Sequence, residues 1–325
     1  MIIKLRADEY NLDNTMKPSF LSSLYRRVGK GEWVKIAGFL KGLRIFQPEG
    51  KVVIAEYAGD IEEDILRNEV ILETGLWRKK PFEKEINRLS REIREKIKGL
   101  SKSYFGIRLP ISPRDFSYIL IAVVLSKRTD YYRFVLRWCE KIWSKHDGDL
   151  KRIEKADLRD IGSSYQLIGL KRTLKDFNRN LLRKNLITKR PEEARVLLIR
   201  SCWGIGPKVA DSIILTTFKA PHFIPCDVHL RTILNRLKIL EKSLSMPEKR
   251  YCMKHVCDER VADEIGIDPC PISDRCLRGE LGRMFGELGG WFQTMLYLHG
   301  RNYCKTNRPR CDICPLNQLC PTAKV

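Results

Sequence analysis

The chain has 325 residues, more than one core usually organises, since single cores stop growing near ~250–300 residues; two domains are expected. Its 61 Lys and Arg against 40 Asp and Glu give a formal charge of +21, which points to a polyanionic partner and away from a charge-balanced housekeeping enzyme. Hydrophobic content of 43% with only 15 prolines excludes a disordered basic tail, because a chain this apolar offsets its ordering entropy by burial.

At the N-terminus, residues 1–10 (MIIKLRADEY) lack the basic region, apolar core and small-residue cleavage site of a signal peptide, so an intracellular protein is expected, cytoplasmic and nucleoid-associated if prokaryotic. In that reducing setting the 11 cysteines favour metal ligation over a disulfide framework, hyperthermophiles excepted. From Trp33 to Tyr57 the chain reads as strands, with 42–47 (GLRIFQ) and 51–57 (KVVIAEY) flanking Pro48-Glu49-Gly50 as a short hairpin. Residues 82–98 place Phe82, Ile86, Leu89, Ile93 and Ile97 at helical spacing with charges on the other face, which predicts one amphipathic helix.

After Pro110 and Pro113 helical patterns dominate. The expected fold class is therefore α+β, a small β-rich N-terminal domain over 1–108 followed by a mostly helical body over 109–325. The run 118–125 (YILIAVVL) is about half of the ~18 residues a membrane span needs, so it predicts a buried helix and no membrane association.

Residues 191–200 (PEEARVLLIR) form a helix pattern, with Pro191 at the start and acids in the first turn, where they complement the dipole. It ends against Ser201-Cys202-Trp203. Gly204-Ile205-Gly206 is a tight turn, and Pro207 opens a second helix over 208–217, so 191–217 reads helix, hairpin, helix. The glycines admit another backbone at close range, and the first N–H groups of the second helix point outward towards a DNA phosphate. On spacing alone an ordinary αα-turn fits equally well. Farther on, Ile224-Pro225-Cys226-Asp227-Val228-His229 opens a third helix over 228–237.

With that continuation the chain resembles the helix-hairpin-helix DNA glycosylase superfamily, marked by a Gly-hydrophobic-Gly hairpin, a lysine shortly after it and an aspartate that starts a following helix. Here these are Gly204-Ile205-Gly206, Lys208 and Asp227, and the resemblance spans residues 105–320. Family hairpins usually carry a Leu-Pro pair before the first glycine, where this chain has Cys202-Trp203, so local packing is expected to differ. The resemblance implies action on double-stranded DNA that contains a damaged base, and the composition points to a monomer.

Breaking an N-glycosidic bond builds positive charge on the sugar, so the site needs a carboxylate and a nucleophile for the anomeric carbon. The resemblance implies that Lys208 attacks C1′, forms a Schiff base and permits β-elimination, while Asp227 stabilises the oxocarbenium-like state. Burial and the positive end of its own helix are the expected means of favouring the neutral Lys208 amine. Without the aspartate, Lys208 would read as a phosphate contact; Asp227 also suits a helix N-cap. His229, in the first turn after Asp227, is a candidate phosphate contact or a packed side chain.

Cys304, Cys311, Cys314 and Cys320 have the spacing C-x6-C-x2-C-x5-C, which fits a [4Fe–4S] cluster or a Cys₄ zinc site. The spacing, with the preceding Leu298-His299-Gly300-Arg301, resembles the cluster loop of endonuclease III and its relatives, which implies iron–sulfur over 304–320. Between the first two ligands, Lys305, Arg308 and Arg310 stand without an acid and suit a DNA backbone. Cys252, Cys257, Cys270 and Cys276 lie in an insertion over 241–283. A second metal is one reading; disulfides or free thiols are expected, because C-x4-C and C-x5-C lack the C-x2-C knuckle.

Gly290-Trp291-Phe292-Gln293 with Tyr297 resembles the segment of 8-oxoguanine glycosylases in which a glutamine reads the base edge and an aromatic one turn later stacks on its face; the two share a helix face. An ordinary amphipathic helix with Trp291 and Tyr297 in the core is the alternative. The β-rich start and the junction Tyr104-Phe105-Gly106-Ile107-Arg108-Leu109-Pro110 resemble those of 8-oxoguanine glycosylases and 3-methyladenine glycosylase II. The glycine-glutamine pair early in that domain appears here as Ser19-Phe20. Ser126-Lys127-Arg128-Thr129 falls where the superfamily places its gap-filling residue, so Arg128 is either that wedge or part of a phosphate-binding cluster. The expected function is bifunctional excision of 8-oxoguanine with β-elimination. The alternatives are the same chemistry on oxidised pyrimidines or alkylated purines, and a non-catalytic DNA-binding module that forms no covalent adduct.

Overall fold

A computed structural model describes residues 1–48, 50–180, 186, 188–240 and 242–323. The N-terminal region is an antiparallel sheet of β1 (Ile2–Arg6), β2 (Tyr25–Gly29), β3 (Glu32–Lys35), β4 (Arg44–Phe46) and β5 (Val52–Glu56), in the order β1-β5-β4-β3-β2. Alternation sends Ile3, Leu5, Trp33, Ile45, Val53 and Ala55 to the buried face, and Ile45 and Ile3 both pair with Ala55. The expected hairpin is β4–β5, shorter at both ends than its apolar run; Glu49 of its turn lies outside the described residues.

One helix expected over 82–98 is two elements. A 3-10 segment, Phe82–Arg88, ends at an extended Leu89, and a new helix begins after Ser90, at Arg91. Serine favours a helix start over a helix interior, and it sits where the backbone turns. Phe82, Ile86, Leu89 and Ile97 all still reach one core, so the apolar spacing was sound while the continuous backbone was not.

The helices used below are α1 (Leu12–Met16), α2 (Glu63–Glu73), α3 (Arg91–Ser103), α4 (Phe116–Leu125), α5 (Leu136–His146), α6 (Leu150–Lys155), α7 (Tyr165–Arg179), α8 (Pro191–Ser201), α9 (Pro207–Thr217), α10 (Val228–Arg236), α11 (Lys249–Cys252), α12 (Glu259–Ile265), α13 (Leu277–Phe285) and α14 (Gly289–Asn302). One core joins the sheet to α4, α5, α7, α8 and α9, with α4 buried on every side as its unbroken apolar run requires. A second core joins residues 82–109 to α10, α13 and α14. Among the described residues no helix is long and apolar enough to cross a membrane.

Between sheet and body lies a closed polar network. Lys35 Nζ of β3 donates to Asp115 Oδ2 at 2.7 Å and to Glu73, the last residue of α2; Ser112 Oγ, with one proton to donate, stands within hydrogen-bond distance of both carboxylates, at 2.7 and 3.0 Å; and the Phe39 amide donates to Asp115 at 2.7 Å. Tyr25 also hydrogen-bonds Glu73. All of these charged groups are buried, and burial pushes the Glu73 carboxyl above its ordinary value despite the Lys35 charge.

A second clamp is pH-sensitive. His222 lies between Glu192 of α8, 2.8 Å from Nε2, and Glu287, 3.3 Å from Nδ1. Burial works to lower its pKa, but the hydrogen bonds to the two carboxylates win and raise it from 6.5 to about 9. A raised folded-state value stabilises fully below the unfolded value and is lost as pH rises through the folded one. Denaturant midpoints between pH about 6.5 and about 9 are expected to fall in the wild type and to fall less in His222→Gln; parallel declines would remove His222 from the account.

Candidate active site

The local sequence dictates each part of the hairpin. In α8, Pro191 takes the first helical position and Glu193 accepts the Arg190 amide at 3.1 Å. Cys202 and Ile205 are buried, so cysteine fills the core position that the resemblance assigned to leucine. Trp203 is left exposed, with Lys127 and Arg172 against its ring at 5.4 and 4.7 Å and its amide donating to Asp176 at 2.8 Å. Gly204 has φ +74°, a left-handed conformation that glycine adopts without strain, and its carbonyl accepts Lys127 Nζ at 3.3 Å. Gly206 is extended and caps α9; a Cβ there would meet nothing within 4 Å.

Lys208 stands in the first turn of α9. Asp227 caps α10, with Oδ1 accepting the Leu230 amide at 2.8 Å and Oδ2 3.5 Å from Lys208 Nζ. One carboxylate thus ends a helix and faces the amine at once. Lys208 is half-exposed at the wall of the cleft and is not buried as expected; the helix N-terminus is the feature that remains.

Both residues line a cavity of about 1090 Å³, together with Arg128, His229, Gln293, Tyr297, Lys305 and Arg308. His229 is exposed there, which removes the packed alternative, while Trp291 is fully buried and stacks on Phe82 at 5.5 Å. The Gln293 side chain lines the cavity and has no hydrogen-bond partner among the described residues, so its amide is open to a ligand. Burial raises the Tyr297 hydroxyl above its ordinary pKa, so it stays a neutral donor. Arg128 is exposed with φ +52°, a strained conformation for arginine that turns the chain sharply after α4. Ser19 and Phe20 line the same cavity from the N-terminal region.

Two residues were not assigned to the cleft or the cysteine loop from the sequence, although Arg301 was noted as part of a motif. Arg301 lines the cavity one turn beyond Tyr297, over the Tyr132 ring at 4.3 Å and 3.5 Å from Asp130; the spacing 293, 297, 301 was the available signal. Arg236, the last residue of α10, donates to the carbonyls of Lys305 at 2.9 Å and Thr306 at 2.7 Å and to Cys304 Sγ at 3.2 Å. Nothing local in the sequence marks it.

Arg310 does not join the main cleft. It lines a second cavity, about 260 Å³, with Cys304, Cys311, Cys314 and Cys320. The four thiols are unbonded, and the buried His299 has Nε2 3.5 Å from Cys314 Sγ. Burial holds His299 down at about 4, so it is neutral, and its Nδ1 has no partner; the proton assigned to Nε2 makes it a donor to sulfur. Among the described residues no three His, Cys, Asp or Glu side chains are already gathered at the separations a single metal ion demands. Thiols ringed around a cavity, with a guanidinium and an imidazole as sulfur-directed donors, fit a polynuclear cluster better than one ion.

No family model matches the chain. Endonuclease III of Sulfolobus acidocaldarius is 22% identical over 238 residues, 72% of this chain and 94% of that protein. The 8-oxoguanine glycosylase/lyase of Clostridium acetobutylicum, solved with double-stranded DNA containing cytosine opposite 8-oxoG, superposes with a TM-score of 0.64 at 18% identity over 93% of this chain and 97% of its own. A 3-methyladenine DNA glycosylase from Archaeoglobus fulgidus has a TM-score of 0.59 at 16% identity, over 92% and 99%.

Proposed function

We propose that this chain, a helix-hairpin-helix glycosylase by the fold it shares and the relative it matches, excises a damaged base from double-stranded DNA and then nicks the abasic strand. The observation that carries this reading is the Lys208 amine 3.5 Å from the Asp227 carboxylate at the wall of one large cleft. Neutral Lys208 attacks C1′ as the N-glycosidic bond breaks, and the base leaves with the bonding pair and takes up a proton. Asp227 faces the positive charge that builds on the sugar and accepts the proton released from the lysine nitrogen. The Schiff base that follows acidifies C2′, and loss of that proton expels the 3′ phosphate by β-elimination.

The hairpin amides beside Gly206, with Arg128, His229, Lys305 and Arg308, are assigned to the DNA backbone and the gap left by the flipped base. Cys304, Cys311, Cys314 and Cys320 are assigned as ligands of a [4Fe–4S] cluster, whose contribution is to fold the loop that carries those cations.

For the base, the reading is 8-oxoguanine: Gln293 offers an unpaired amide and Tyr297 a ring on the same helix face, one to read an edge and the other to stack. Ser19 and Phe20 in place of a glycine-glutamine pair keep an alkylated purine or an oxidised pyrimidine as the second reading. Borohydride trapping on duplexes with single 8-oxoguanine, thymine glycol, uracil or alkylated adenine tests both. Gln293→Leu is expected to lower excision of 8-oxoguanine by roughly 10–100-fold and to leave cleavage of a preformed abasic site intact. Trapping on another lesion alone would keep the chemistry and overturn the base.

A further inference from the structure

We propose that the exposed face of α7, together with Trp203 and Lys127, is a second DNA contact that grips the duplex backbone flanking the lesion, outside the cleft where the base is removed. The identity of the partner rests on the glycosylase reading, which the proposal extends to the DNA beside the damaged base.

Helical spacing lays out the surface. Tyr165, Ile168, Arg172 and Lys175 follow at three- and four-residue steps, so they share one face of α7, and all four are exposed. Ile168 is 72% exposed and Tyr165 60%, while Leu167, Leu170 and Leu174 on the opposite face sit in the core, so the exposed pair is not part of the helix's own packing.

Trp203 extends this face. A Cβ at Gly169 would come 3.0 Å from its ring, so glycine there lets the indole lie against α7. Arg172 and Lys127 hold the ring at 4.7 and 5.4 Å, yet it stays 40% exposed, and its indole N–H has no partner among the described residues. A ring fixed in advance loses little rotamer freedom when a partner docks.

Short links make the face continuous with the hairpin. Gln166 Nε2 donates to the Lys127 carbonyl at 3.0 Å, in the loop that carries Arg128 into the cleft, and Thr173 Oγ1 donates to the carbonyl of Trp203 at 2.9 Å, one residue before Gly204. Trp203, Lys127 and the four α7 residues do not line the cleft itself.

Charge chooses the occupant. Asp176 on the same helix is engaged by Arg179 at 3.3 Å and by the Trp203 amide at 2.8 Å, and among the described residues Lys127, Arg172 and Lys175 have no carboxylate partner. Burial depresses the Lys127 amine, and an anion alongside restores it. Cations without acids, interleaved with rings, suit phosphates with sugars between them. A protein partner needs a broader apolar centre, since stable interfaces bury roughly 1,200 Å² or more and exclude charge from the middle. From Tyr165 to Lys175 the face runs about 15 Å at ~1.5 Å per residue, or about four base pairs at ~3.4 Å each.

Fluorescence anisotropy with an undamaged duplex and with an abasic-analogue duplex tests the proposal. Ile168→Asp is expected to weaken binding of both about 10-fold, Ile168→Lys to tighten it, and Arg172→Ala to reduce the slope of log affinity against log salt by about one. Aspartate in the first turn of α7 suits the helix dipole, so the fold is not at stake. Lengthening the duplex by about four base pairs on one side of the lesion should raise the affinity of the wild type and not that of Ile168→Asp. The borohydride-trapped adduct at saturating protein should be unchanged in all three variants. An adduct with affinity and salt slope unchanged in every variant overturns the proposal and leaves the face to a protein partner. Weakened binding by Ile168→Asp with no adduct on any lesion keeps the DNA contact and overturns the glycosylase reading instead.

Discussion

Lys208→Gln is expected to abolish the borohydride-trapped adduct and to slow strand cleavage on the order of 10³-fold or more, about 4 kcal/mol of lost transition-state stabilisation. Glutamine keeps much of the stem and removes the nucleophile. The fold should be indifferent to the change, because Lys208 is half-exposed and Asp227 keeps its bond to the Leu230 amide. Binding of duplex with an abasic analogue should persist, which separates lost chemistry from lost affinity. A variant that still forms the adduct would place the nucleophile elsewhere. Full base release without an adduct, in wild type and variant alike, would make the enzyme monofunctional and reduce Lys208 to a phosphate contact.

The second large effect is on stability. Asp115→Ala is expected to cost about 3–5 kcal/mol, because removing one partner of a buried pair strands the rest. Lys35 would keep only Glu73, and the Phe39 amide and Ser112 hydroxyl would each lose an acceptor. Since whole-protein stabilities are about 5–15 kcal/mol, the change should be plain in denaturant midpoints. A loss under about 1 kcal/mol would show that water or Glu73 takes over the role. The network spans β3, α2 and α4, so the sheet and the body are held together by ionic contacts as well as by the shared core.

What the sequence revealed depended on how local the signal was. The hairpin was legible almost residue by residue, because Pro191, Gly204, Pro207 and Asp227 each act within a few positions of themselves. Lys208, Asp227, Gln293 and Tyr297, far apart in sequence, do share one cleft. β2 was not legible: only Tyr25 is buried along it, so an edge strand leaves no alternation to read. The turn inside 82–98 hid because Leu89 is apolar and in register with a helix that is not continuous there. Lys35, Glu73 and Asp115 look like ordinary surface charges until the fold closes over them.

Helix α10 begins just after Asp227, the cap that faces the amine, and ends at Arg236, which grips the backbone of Lys305 and Thr306. It is a spacer of 9 residues, ~13 Å at 1.5 Å per residue, set between the Lys208–Asp227 pair and the loop that carries Lys305 and Thr306. Its exposed face can vary, but Leu230, Ile233 and Leu234 are held in the core and its length is fixed. One inserted residue would carry Arg236 about 1.5 Å onward and swing it through about 100°, away from the loop, with Asp227 unmoved at the other end. Drift in this protein should therefore accumulate as substitutions along α10 and never as insertions or deletions.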